Sequence, residues 1–113
     1  MIEAYSFGQM KIAGKIYSRD LKVINGQVVP NWWRKEGHRL FSEDIADILQ
    51  AHPEFLVIGT GAYGAMSLSP EVEEALKREA IEFEALPTGR AVDLFNRLWQ
   101  EKKKVAGAFH LTC

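Results

Sequence analysis

The sequence has a single cysteine, Cys113, among 113 residues. No internal disulfide and no Cys-x-x-Cys metal knuckle can form, which removes the disulfide-framework and zinc-ribbon classes and fits a reducing compartment. Charge of one sign is also missing. Lysines and arginines number 14 and aspartates and glutamates 15, a net charge of -1. Proteins that track phosphate backbones usually carry a basic surplus, so no nucleic-acid partner is expected. No apolar run approaches the roughly 20 residues needed to span a bilayer, so no membrane role is expected. The opening Met1-Ile2-Glu3-Ala4-Tyr5 holds neither a basic leader with an apolar core nor an arginine-rich presequence. The expected setting is cytoplasmic. Histidines are sparse and scattered. His38, His52 and His110 show no metal-ligand spacing, and His110 and Cys113 would face opposite sides of a strand. No metal and no cofactor are expected. Repeats, low-complexity segments and linker-like stretches are absent, and the length suits a single domain over residues 1–113.

What is present reads as α/β. Tyr5, Phe7 and Ile12, punctuated by Gly8 and Gly14, suggest short strands with tight turns. Leu21 to Ile24 and Gln27 to Val29 flank Asn25-Gly26, a strong short hairpin signal because both residues tolerate positive φ. Asn31 to Phe41 reads as a connecting loop, with Ser42 as the cap of a helix carrying Ile45, Ile48 and Leu49 on one face. His52-Pro53 ends that helix. Strand and helix then alternate. A strand spans Phe55 to Ile58, and Ser69-Pro70 starts a helix that buries Val72, Ala75, Leu76 and Ala80. A second strand spans Ile81 to Leu86. Thr88 caps a helix with a stripe of Ala91, Leu94, Phe95, Leu98 and Trp99, and Val105 to Leu111 is the last strand. The predicted fold is an α/β domain with a mixed sheet, N-terminal hairpins preceding a βαβαβ unit with a parallel core.

Two stretches could carry function. The strand Phe55 to Ile58 is apolar on both faces and so belongs in mid-sheet, and it runs into glycines 59, 61 and 64. In open α/β sheets ligands bind beyond the carboxyl ends of parallel strands. Gly59, Thr60, Gly61 and Tyr63 lie at one such end, and Thr88 and Arg90, at a helix N-terminus, at the next. Together they would suit a small anion. The glycines match G-x-G-x-x-G, but no helix opens directly after them and no lysine follows as in a phosphate-binding loop. The second stretch holds Trp32, Trp33, Arg34 and His38, residue types that anchor protein interfaces. No carboxylate pair, nucleophile elbow or positioned thiolate stands out, so no catalytic residue is assigned and catalysis is not expected.

Several of these residues, taken in order, also carry a resemblance. Phe7-Gly8, Ile12, Gly14-Lys15, Tyr17, Asp20, Trp33-Arg34, Gly37-His38, Leu56 to Gly61, Thr88, Ala91, Phe95-Asn96 and Gly107 to His110 recur with characteristic spacing. The chain resembles the uncharacterised domain family of the adipogenesis-associated domain protein and the mitochondrial respiratory complex I assembly factor. That resemblance implies one three-layer α/β domain around a mixed five-stranded sheet with one strand antiparallel to the rest. It brings no catalytic residues, and one relative acts through protein contacts. The expected function is a non-catalytic interaction or assembly-factor-like domain with a protein partner. The alternative is a small-molecule site or enzyme for an anionic metabolite at the glycine-rich strand end.

Overall fold

The computed structural model describes Met1 to Cys113 and begins with an antiparallel meander. Strands β1 (Ile2–Ser6), β2 (Gln9–Ile12) and β3 (Lys15–Tyr17) pair in that order. They form a small sheet of their own. Strands β4 (Leu21–Ile24) and β5 (Gln27–Val29) form the next hairpin. Asn25 and Gly26 between them both have positive φ, 51° and 75°, the two-residue geometry whose twist matches the flanking strands.

The expected loop from Asn31 to Phe41 contains a two-residue strand, β6 (Arg39–Leu40), which pairs in parallel with β8 (Ser67–Leu68). Such a short pairing has no alternation to read. Ser42 is not a cap. Phe41 takes that position, its amide donating to Asp44 Oδ2, and a 3₁₀ turn over Ser42–Ile45 precedes α1 (Ala46–Ala51). The helix ends where His52 turns left-handed ahead of Pro53. Strand β7 (Phe55–Thr60) continues two residues past its expected end. Helix α2 (Pro70–Arg78) starts after Ser69 with proline at its first turn, and β9 (Glu82–Leu86), α3 (Thr88–Gln100) and β10 (Val105–His110) complete the chain. Ala80 lies beyond α2, in a left-handed turn. Pro87, not Thr88, occupies the cap of α3.

The central sheet runs β5-β4-β10-β7-β9. β10, β7 and β9 are mutually parallel, and β4 is antiparallel to both β10 and β5, so β4 alone opposes the rest. Of the two early hairpins only β4–β5 joins it. One core lies between the sheet, α3 and the meander, built on Ile2, Met10, Val57, Phe95 and Phe109. The other lies under α1 and α2, built on Trp32, Ile45, Leu56, Ile58 and Leu76. β7 sends side chains into both. Val92, on α3 but outside the expected stripe, is buried, and Trp99 is partly exposed against Gly26. The Phe109 ring occupies the space a Cβ on Gly107 would need, and it meets Phe95 edge-on at 5.7 Å. No helix is long and apolar enough to cross a membrane.

Candidate functional site

The carboxyl ends of β7 and β10 lie side by side, Thr60 in register with His110. Asp20 immediately precedes antiparallel β4, which brings it to the same end of the sheet. Here the protein builds its most elaborate polar network. Asp20 Oδ1 accepts the Leu111 N–H at 2.7 Å, and Oδ2 lies 2.8 Å from His110 Nδ1 and 2.9 Å from Arg34 Nη1. Arg34 Nη2 donates to the Gly37 carbonyl at 2.9 Å and approaches His110 Nδ1 at 3.1 Å. A carboxylate only accepts, so the shorter contact places the His110 proton on Nδ1. The Arg34 side chain is 3% exposed, and its Nε and His110 Nε2 are buried without partners. Burial works to raise the Asp20 carboxyl. The hydrogen bonds from His110 and from Leu111, with the His110 charge and the Arg34 bond, outweigh it and hold the carboxyl below its ordinary value.

The same network fixes the tryptophan segment. Trp32 donates its backbone N–H to the Asp20 carbonyl at 2.8 Å and its indole N–H to the Asp44 carbonyl at 3.0 Å. The Arg34 guanidinium lies 4.6 Å from the Trp32 ring centre, a cation–π contact. Residues 31 to 35 therefore alternate. Trp32 and Arg34 are buried, and Asn31, Trp33 and Lys35 are exposed. Trp32 is 7% exposed and Trp33 80%. Of the four residues expected at an interaction surface, Trp33 and His38 face solvent, and Trp32 and Arg34 form the wall behind Trp33. Clefts of about 480 and 540 Å³ flank Trp33, the first lined by Arg19, Asp20, Asn31 and both tryptophans.

The glycine-rich strand end is arranged differently from the expected ligand site. Gly59 and Thr60 are buried in β7. Gly61, at φ 107°, packs against the backbone of Thr112 and Cys113, where a Cβ would fall 2.5 Å from the Thr112 carbonyl. Ala62 and Ala65 donate their amides to the Thr112 and Cys113 carbonyls. The chain's own extended segment thus fills the space over the loop. The Thr88 hydroxyl, fully buried, accepts from the Gly61 N–H at 2.9 Å and donates to the His110 carbonyl at 2.6 Å. The Thr88 amide is taken by the Gly61 carbonyl. Donors expected to face an anion are therefore consumed internally. Tyr63 is 83% exposed and lies tilted against exposed Phe7, 6.2 Å between centroids. Arg90 is exposed and lines a groove of about 390 Å³ with Glu84, Leu86, Asp93, Leu94 and Arg97, none of them another of the six candidates.

Asp20 and His110 carry no functional assignment in the sequence reading. The signal for them was their place among the residues that carry the family resemblance, as separate positions with no indication that they meet.

A family described as a protein of unknown function (DUF498/DUF598) matches residues 2–110. The crystal structure of a conserved hypothetical protein from Pyrococcus horikoshii OT3 is 30% identical, covering 100% of this chain and 99% of that one, with a TM-score of 0.84. The protein MT938 is 28% identical over 100% of this chain and 98% of its own, with a TM-score of 0.84. A Bartonella henselae protein described as an outer membrane protein is 27% identical over 99% of this chain and 94% of its own, with a TM-score of 0.86. None of these descriptions names an activity. The match along nearly the whole chain, with the shared fold, shows that this protein belongs to the DUF498/DUF598, Mth938-like domain family.

Proposed function

We propose that the protein is a non-catalytic protein-interaction domain whose contact surface is centred on Trp33. One observation carries this reading: an indole 80% exposed on a segment whose neighbours on both sides, Trp32 and Arg34, are locked inward. A large aromatic presented on an immobile backbone loses little conformational entropy when a partner covers it. The flanking clefts give a partner's side chains somewhere to go. The Asp20–His110 couple supports a structural role over a catalytic one. His110 Nε2, the nitrogen that would act on a substrate, has essentially no exposed surface.

The test is capture of partners from the protein's own cells with the parent chain and with Trp33→Ala. Trp33 is on the surface, so the substitution is expected to change stability by less than about 0.5 kcal/mol. A co-purifying protein is expected to be lost at unchanged thermal midpoint. Capture that survives Trp33→Ala undiminished would remove the surface from consideration.

A further inference from the structure

We infer that the Trp33 surface takes an acidic, extended peptide segment bearing a bulky apolar side chain; this rests on the reading of Trp33 as a contact surface. Three clefts run together there. One, of about 300 Å³, lies along β3 and shares Arg19 and Asn31 with the cleft of about 480 Å³ beside Trp33. That cleft shares both tryptophans with the third, of about 540 Å³, which extends to Glu43 and Asp44. The three clefts thus adjoin in a row through shared lining residues, an arrangement suited to an extended chain.

The charge of this row is decided by which side chains are already committed. Lys15, Arg19, Lys22 and Lys35 line it against Asp20, Glu43 and Asp44. Asp20 is held by Arg34, His110 and the Leu111 amide. Asp44 Oδ2 accepts the Phe41 N–H, and Lys22 is paired with Asp47 at 2.8 Å. Setting aside the two ion pairs leaves Lys15, Arg19 and Lys35 against Glu43 and Asp44, whose charge the Phe41 amide does not cancel. None of the three cations has a carboxylate within ion-pair distance, and all three are exposed. On a protein whose net charge is -1, this is a local excess of positive charge around an exposed indole. Carboxylates spaced along a peptide would meet Arg19 and Lys35 on either side of Trp33, and an apolar side chain between them would lie on the indole.

The experiment titrates the isotopically labelled full chain with a synthetic peptide of about ten residues, long enough at ~3.3 Å per residue to follow the row of clefts. The peptide is rich in glutamate with a central phenylalanine; a control replaces each glutamate by glutamine. The acidic peptide is expected to shift the Trp33 indole N–H and the amides of Arg19 and Lys35, with affinity falling as salt rises. Arg19→Glu combined with Lys35→Glu is expected to weaken it by about tenfold, a change of about 1.4 kcal/mol. An equal response to the glutamine control, shifts clustered elsewhere, or no response would overturn the acidic assignment. The same holds if a single-stranded oligonucleotide or raised protein concentration moves these resonances and the acidic peptide does not. Loss of cellular capture on Trp33→Ala together with an inert acidic peptide would leave the contact surface standing and sink only the partner class.

Discussion

Asp20→Ala is expected to cost about 3–5 kcal/mol of folding stability, the range for removing one partner of a buried ion pair. Three donors lose their acceptor at once: Arg34 Nη1, His110 Nδ1–H and the Leu111 amide. The Arg34 and His110 side chains are 3% and 7% exposed, so water cannot replace the lost carboxylate without local rearrangement. Urea unfolding should show a midpoint well below the parent's with an unchanged slope. Asp20→Asn keeps an oxygen for Leu111 but no charge for Arg34, so it should fall between the two. A loss under about 1 kcal/mol for Asp20→Ala would mean that Arg34 is satisfied in another way.

The same carboxylate sets an acid limit. Its folded-state value lies below the ordinary 3.8. The unfolded chain therefore binds the proton more readily, and the stabilisation is complete above the ordinary value and disappears as pH falls through the lower, folded-state value. The stability gap between the parent and Asp20→Asn should accordingly narrow as pH falls below about 4.

Thr88→Val is expected to be the next most costly change at the strand ends. The two side chains have nearly the same shape, so packing is preserved and the loss reports the hydroxyl. That oxygen serves the Gly61 N–H and the His110 carbonyl together, in a fully buried position. Each buried group left without a partner costs about 1–3 kcal/mol. Because Gly61 also cradles Thr112, amide exchange at Ala62 and Ala65, whose N–H groups bond to Thr112 and Cys113, should accelerate beyond the global change. Unaltered exchange at those two amides would show that the hydroxyl does not hold the loop to β10.

Much of the frame was legible because local chemistry and fold agree there. Asn25-Gly26 marks its turn through backbone preference alone, and Ser69-Pro70 starts α2 where expected. Leu56 to Ile58 is buried on both faces, as an uninterrupted apolar run requires of a central strand. The failures sit where tertiary contacts overrode a local signal. β7 runs on through Gly59 and Thr60 because both stay in register with β10, and the missing Cβ of Gly59 leaves room for the Phe109 and Thr88 side chains. Thr88 looked like a helix cap, yet its hydroxyl serves another loop. The glycine-rich strand end suggests room for a small anion, yet Gly61 receives the chain's own Thr112-Cys113 segment.

The sequence by itself determined the class of fold, the mixed sheet and the family, because these follow from periodicity, turn chemistry and the order of recurring residues. Tertiary structure alone decided what the polar and aromatic residues do. Asp20 and His110 are 90 positions apart and meet only because β4 and β10 pair antiparallel. Adjacent Trp32 and Trp33 have the same side chain and nearly the same sequence surroundings. Which one is buried is settled by an extended backbone that sends neighbouring side chains to opposite sides, and by the Asp20 carbonyl that fixes its register.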